Sequence, residues 1–218
     1  TIRALELEGK ADLQQVDALV AELADSVGRN RDALLWLSHL RKTHEDTYDH
    51  ALNVSVHAMI FARFLCMSDH EVHAMGVAGL LHDVGNIRLN AAILKYPGRL
   101  QPQHLAHIQT HVAHGLALLS ESEGLDRNVA QIIAQHHERT DGSGYPRGLK
   151  NEQLGLCAEA AGLVDSYCAM IAARPYRAAM SAQQALETLH RESDRRFRAS
   201  LVDQFLQCIG LYPTGCIV

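Results

Sequence analysis

Long hydrophobic runs, lysine and paired cysteines are all scarce in this chain, and each shortage excludes something. No run of about 18 apolar residues occurs, so no membrane-spanning helix is expected. Four lysines and a net charge of −5 do not describe a protein that coats DNA or RNA. A phosphate ligand would have to be met by metal ions or by a few local arginines. The five cysteines (Cys66, Cys157, Cys168, Cys208 and Cys216) are odd in number and lack CxxC spacing, which argues against a disulfide framework and a zinc ribbon. That usage fits a reducing, cytoplasmic setting. With 47% hydrophobic and 21% charged residues in 218, the chain has the apolar mass for a real core and is neither disordered nor fibrous. It begins at Thr1 without a signal-peptide pattern and stops just after an apolar run, so it is expected to be a piece of a longer polypeptide.

Strand patterns are scarce too, and apolar residues recur at helical spacing instead, which predicts an all-α bundle. Residues 13–28 put Val16, Leu19, Val20 and Leu23 on one face, with Asp12 as a cap. Further helices are expected at 30–41, 45–66, 69–83, 102–121, 126–138, 153–172, 181–192 and 199–209. Two stretches interrupt the pattern: Asn86 to Pro102, and Thr140 to Lys150 (TDGSGYPRGLK), which is a loop. Residues 1–29 are expected to be an N-terminal helical segment or linker, and 30–218 the principal domain.

Histidine is what the chain has in excess: 14 residues, 13 of them between His39 and His137. Two adjacent pairs stand out, His82-Asp83 and His136-His137. Neighbours on a helix project about 100° apart and seldom chelate one ion comfortably. They can serve two ions held roughly 3.5–4 Å apart, with a carboxylate bridging them. His50, His111 and Asp165, the last inside the apolar stretch Ala160 to Asp165, could complete the set from other helices. Seven nitrogen and oxygen donors without a thiolate suit iron, manganese, nickel or zinc, and spacing does not choose among them. On spacing alone, hydrogen-bonded core histidines remain the competing reading of the pairs. A carboxylate in an apolar stretch favours coordination, because burying it unpaired is expensive. His39, His57, His70, His73, His104, His107, His114 and His190 are read as surface or core histidines.

His82-Asp-Val-Gly85, then His111, then His136-His-Glu-Arg-Thr-Asp-Gly-Ser-Gly-Tyr-Pro146 closely resembles the HD-GYP domain, a branch of the HD phosphohydrolase superfamily. Tyr48-Asp-His50, Lys95-Tyr-Pro-Gly-Arg-Leu100 and Arg174-Pro-Tyr-Arg177 extend the match over about residues 30–218. Residues 32–37 (DALLWL) resemble the entry to such domains behind a bacterial N-terminal regulatory domain. The resemblance implies an HD-type helical bundle that hydrolyses cyclic di-GMP to pGpG or on to GMP, through a water or hydroxide bridging two divalent metals. It puts metal ligands on His50, His82, Asp83, His111, His136, His137 and Asp165, and implies iron or manganese first, nickel or zinc second. Asp46 stands where some members hold a third metal through a glutamate; a solvated helix residue is the alternative. Arg174 and Arg177 would meet a phosphate or a guanine edge, or simply form a surface turn. Gly144 and Tyr145 would approach the ligand or a partner protein, with Gly142 and Gly144 permitting turns that a Cβ would obstruct.

Two departures stand inside the match. Asn86 replaces the lysine of HD-x-G-K and brings no positive charge to a phosphate, a loss worth on the order of 10²–10³ in rate by analogy with oxyanion-hole deletions. Cys168 replaces an aspartate near the substrate. The resemblance therefore implies either a phosphodiesterase, with Asp83 and Asn86 in its catalytic centre, or a weakly active module that binds cyclic di-GMP or docks a diguanylate cyclase (GGDEF) domain through its GYP loop. A general HD nucleotide phosphohydrolase fits the complete GYP loop poorly.

Overall fold

Helices carry nearly all of the chain's regular structure, and their buried stripes explain how they meet. The computed structural model describes residues 12–29, 46–94, 96, 98, 100–172 and 179–210, and no strand occurs among them. Helix α1 (Leu13–Arg29) buries Leu13, Val16, Val20 and Val27 along one stripe. It packs against α2 (Asp46–Phe64) and α3 (Asp69–Leu81) and shares their core. The helix expected at 30–41 lies outside the described residues.

Helix α3 is apolar nearly all round, burying Val72 and every residue from Ala74 to Leu81, as befits a central helix. Its start is set by Ser68, whose hydroxyl accepts the Glu71 amide while the Glu71 carboxylate accepts the Ser68 amide. Beyond α3 come a 3₁₀ turn (Val84–Arg88), a short α4 (Ala91–Leu94), α5 (Pro102–Gln109), α6 (His111–Ser120) and α7 (Arg127–Gln135). A second buried helix, α8 (Leu156–Ile171), follows the 140–150 loop and packs on α2, α3 and α7. Helices α9 (Ala182–Arg191) and α10 (Ala199–Gly210) close the bundle, and Phe205 of α10 meets Phe61 at 5.0 Å and Tyr167 at 5.3 Å between ring centroids.

The structure differs from the sequence reading in detail. The single helix expected at 102–121 is two, parted at Thr110, whose hydroxyl donates to the His107 carbonyl at 2.6 Å. The interval from Asn86 to Pro102 is not wholly irregular, since it holds most of the 3₁₀ turn and all of α4. The helix expected at 126–138 stops at Gln135, and the one expected from 153 starts at Leu156.

Gly85 lies hard against α6: a Cβ there would collide with the His111 carbonyl and come within 2.5 Å of the Gly115 nitrogen. Gly85→Ala should therefore destabilise the fold by about 1–3 kcal/mol, read as a lowered melting midpoint. Asp126 caps α7 by accepting the Asn128 and Val129 amides at 2.7 and 3.3 Å. Partial burial opposes ionisation of Asp126, but those amides and His70 outweigh it and hold the carboxyl below its ordinary value. Asp126→Ala should cost about 1 kcal/mol at neutral pH. A depressed carboxyl adds stability above its ordinary pKa and loses it as pH falls through the lowered one, so wild type and variant should converge in acid denaturation curves.

Candidate functional site

Six elements bring histidines and aspartates to one place. His50 lies in the first turns of α2, His82 caps the C-terminus of α3, and Asp83 leads into the 3₁₀ turn. His111 opens α6, His136 caps α7 with His137 just beyond, and Asp165 lies within α8. Two groups of donor atoms result, each with its atoms within 4.8 Å of one another: Asp83, His111, His136 and His137, and His50, His82 and Asp83. Asp83 belongs to both. Its Oδ1 faces His111 Nε2 at 3.3 Å and its Oδ2 faces His82 Nε2 at 3.6 Å. Asp165 joins the second group from below, 3.0 Å from His50 Nε2 and 3.6 Å from His82 Nε2.

His136 and His137 share one group although they are neighbours in sequence, with ring centroids 4.0 Å apart. The expectation that adjacent residues serve different ions assumed continuous helix. Helix α7 ends at Gln135 with His136 as its cap, so His137 lies beyond the helix, where the spacing of about 100° is not imposed.

Short-range hydrogen bonds fix which nitrogen each ring presents. Nδ1 of His82, His111 and His136 lies 2.9, 2.8 and 2.8 Å from the carbonyl three residues earlier, Gly79, Ile108 and Ile133 respectively. A carbonyl only accepts, so each Nδ1 carries a proton and each Nε2 is the nitrogen turned into the cluster, as a lone pair wherever the ring is neutral. All three Nε2 atoms are buried without a hydrogen-bond partner. Buried polar atoms left in this way call for an unseen partner, and a cation supplies one for each lone pair. The C-terminal ends of α3 and α7 add the negative ends of two helix dipoles.

Electrostatics agree with that reading. Burial opposes protonation of His82, yet the carboxylates of Asp83 and Asp165 push its pKa up to about 9, so the imidazole holds a proton when no metal competes. Burial, reinforced by charged His82, pushes His136 down to about 3. Burial and its neighbour His136 take His137 well below the ordinary value. Asp83 and Asp165 remain ionised despite burial, because His82, with His111 for Asp83 and His50 for Asp165, holds each carboxyl low.

The 140–150 loop closes one side. Tyr145 stacks on His137 at 4.5 Å with 28° between ring planes, and its amide donates to the His137 carbonyl at 3.2 Å. Gly142 has a φ of +79°, whereas Gly144 is needed for space, since a Cβ there would strike the Glu138 and Arg139 backbone. Asn86 lies in the 3₁₀ turn beside Asp83 with its Oδ1 buried and unpartnered. Cys168 is buried in the hydrophobic core one turn after Asp165. Asp46 opens α2, four residues before His50, and its side chain lies outside the described residues, as do Arg174 and Arg177. His70 and His73 pair with Asp126 and Asp17 at 3.2 and 3.1 Å, and the Nδ1 of His57 bonds the Asn53 carbonyl.

Three buried charges escaped the sequence reading. Glu138 accepts two loop amides, and Arg139 donates to the His136 and Glu138 carbonyls and to Ser166 Oγ with its guanidinium 4.7 Å from the centre of the Phe197 ring. Glu159 binds the Arg198 amide and guanidinium. The signal available was the charge pair Glu138-Arg139 between a histidine doublet and a glycine loop.

A family model described as HD domain matches residues 17–201. Over 207 residues the chain is 34% identical to a cyclic di-GMP phosphodiesterase of Pseudomonas aeruginosa, covering 95% of this chain and 50% of that one. Over 159 residues it is 35% identical to a 3'3'-cGAMP-specific phosphodiesterase of Vibrio cholerae, covering 71% of this chain and 34% of that one. Among solved structures, an HDG"Y"P protein of Bdellovibrio bacteriovorus superposes with a TM-score of 0.78 at 18% identity, over 95% of this chain and 67% of that one. The chain thus spans half or less of the length of these two curated relatives.

Because metal must displace the His82 proton, affinity should rise with pH up to about 9. Calorimetric titration with manganese in buffers of different ionisation enthalpy should register proton release at neutral pH. His82→Ala/Asp83→Ala should bind less than one ion per chain by elemental analysis, with its helical circular dichroism retained.

Proposed function

The chain belongs to the HD-domain family, and from that premise we propose that it is a metal-dependent phosphodiesterase of the HD-GYP type that hydrolyses cyclic di-GMP to pGpG, GMP or both. The observation that carries this reading is the largely buried seven-residue nitrogen and oxygen cluster with three unpartnered Nε2 atoms and one aspartate common to two groups of donors. A surface that only docked a partner would have no use for it. The named cyclic-dinucleotide phosphodiesterases among its relatives support the substrate class.

His50, His82, Asp83, His111, His136, His137 and Asp165 would hold two divalent ions, and Asp46 a third. A donor set without thiolate favours iron or manganese, with nickel or zinc as alternatives. Such ions supply Lewis acidity at the phosphoryl oxygens and a water acidic enough to be a nucleophile near neutral pH. The chain's own residues do the rest. Asp83, the most exposed of the carboxylates with its side chain 26% accessible, opens the cluster toward solvent and sets the direction of substrate approach. Tyr145 walls the His137 side and offers a flat ring to a base or ribose. Asn86 can hydrogen-bond a phosphate oxygen but adds no charge, and Arg174 and Arg177 would pair with phosphate or a guanine edge. We further read an N-terminal regulatory domain in the whole protein, a cytoplasmic setting, and a GYP loop open to a GGDEF partner. No helix among the described residues is long and apolar enough to cross a membrane.

Asn86 is the specific reason to keep a second reading, a module that binds cyclic di-GMP with little turnover. The decisive assay incubates protein loaded anaerobically with iron or manganese with cyclic di-GMP and, separately, with 3'3'-cGAMP. Wild type should yield pGpG or GMP, His82→Ala/Asp83→Ala should yield none, and Asn86→Lys should raise the rate by up to about 10². Tight binding without product under either metal would favour the module. Faster cleavage of 3'3'-cGAMP would reassign the substrate.

A further inference from the structure

Glu138 follows the His136-His137 pair directly, yet its carboxylate turns away from both groups of ligand atoms. Its Oε1 accepts the Arg147 amide at 2.6 Å and its Oε2 accepts the Leu149 amide at 2.9 Å. The residue is 1% exposed, and among the described residues no basic side chain pairs with it. An ionised carboxylate so buried is costly unless its oxygens are satisfied, and here both are committed to the returning limb of the 140–150 loop. The other limb is held by contact, with Gly144 pressed on the Glu138–Arg139 backbone and the Tyr145 amide on the His137 carbonyl. Tyr145 therefore sits between two pins, and Glu138 supplies the one that a side chain controls.

We propose that Glu138 is a positioning residue: its carboxylate holds the loop so that the Tyr145 ring stays stacked on His137, at the side of the ligand cluster that the loop closes. The kinetic consequence rests on the phosphodiesterase reading above; the structural consequence does not. A carboxylate is required because two amide donors point at it. Glutamine in the same place offers one acceptor oxygen and sets its own N–H groups against the second donor.

Glu138→Gln is the test, made on the whole metal-loaded chain. The amides of Arg147 and Leu149 should exchange with solvent about tenfold faster, the response to losing about 1.4 kcal/mol of local protection. The ring-current shift that Tyr145 imposes on the His137 protons should collapse in NMR spectra of the zinc-loaded protein, with metal content unchanged. For cyclic di-GMP, KM should rise about tenfold with kcat within about threefold, because the group touches neither ligand atoms nor reacting atoms. Tyr145→Ala should reproduce the KM effect, and the double variant should add nothing to it. Unchanged exchange at the two amides, a preserved ring-current shift, or full additivity with Tyr145→Ala would each overturn the proposal. So would metal loss with kcat and KM shifting together, the pattern of a merely structural group. Should Glu138→Gln not fold, Glu138→Asp, able to reach only one of the amides, is read by the same measurements. A wild-type chain that neither binds nor cleaves cyclic di-GMP overturns the functional reading alone, and amide exchange with the His137 shift then decides the role of Glu138.

Discussion

Two carboxylates set among five imidazoles, Asp165 buried and Asp83 half-buried, are what the packing of the helices has to accommodate. Neither could be tolerated alone in an apolar interior, since an unpaired charge there is very expensive. Together with His50, His82 and His111 they make a cluster that is self-consistent at short range and still holds three buried Nε2 atoms, those of His82, His111 and His136, without a hydrogen-bond partner. The helices are arranged so that this can happen. The two most buried ones, α3 and α8, deliver His82 and Asp165, and the ends of α6 and α7 bring His111 and His136 to meet them. A cation is the natural complement to a cluster of carboxylates, inward-facing Nε2 atoms and helix C-termini.

Two scales of force produce that geometry. Local bonds from Nδ1 to the carbonyl three residues back set the tautomer and tilt of each ring and need only the helix end that carries it. Bringing the rings together is the work of the core, in which Phe61, Tyr167 and Phe205 lock α2, α8 and α10. The string from His136 to Thr140 joins both scales. Its two histidines face the cluster, Glu138 holds the loop, Arg139 ties the end of α7 to α8, and Thr140 binds the backbone at Arg195 and Arg196. Each buried charge in that string is met mainly by backbone, which leaves the histidines free for ligation.

Much of this was legible in advance, and the misses have physical causes. Helices of strong apolar period such as α1 and α9 came out within a residue or so of their observed ends. The break at Thr110 did not, because a hydroxyl bonding its own helix leaves no mark on apolar periodicity. Asp165 was visible as a carboxylate in an apolar stretch. Glu138 and Glu159 were not, because their partners are the amides of Arg147 and Leu149 and the 39-residue-distant Arg198, and no spacing in the sequence announces those contacts. His70 and His73 paired with aspartates on other elements, as ordinary surface histidines do.

The helical class, the residue types of the cluster and the loop beside it can be read along the chain, because periodicity, adjacency and glycine placement are local properties. Which donors share a group, that Asp83 stands in both, and that His136 and His137 stand side by side in one group come from the packing alone. Those outcomes depend on where helices end and how they pack, and no single segment holds that information.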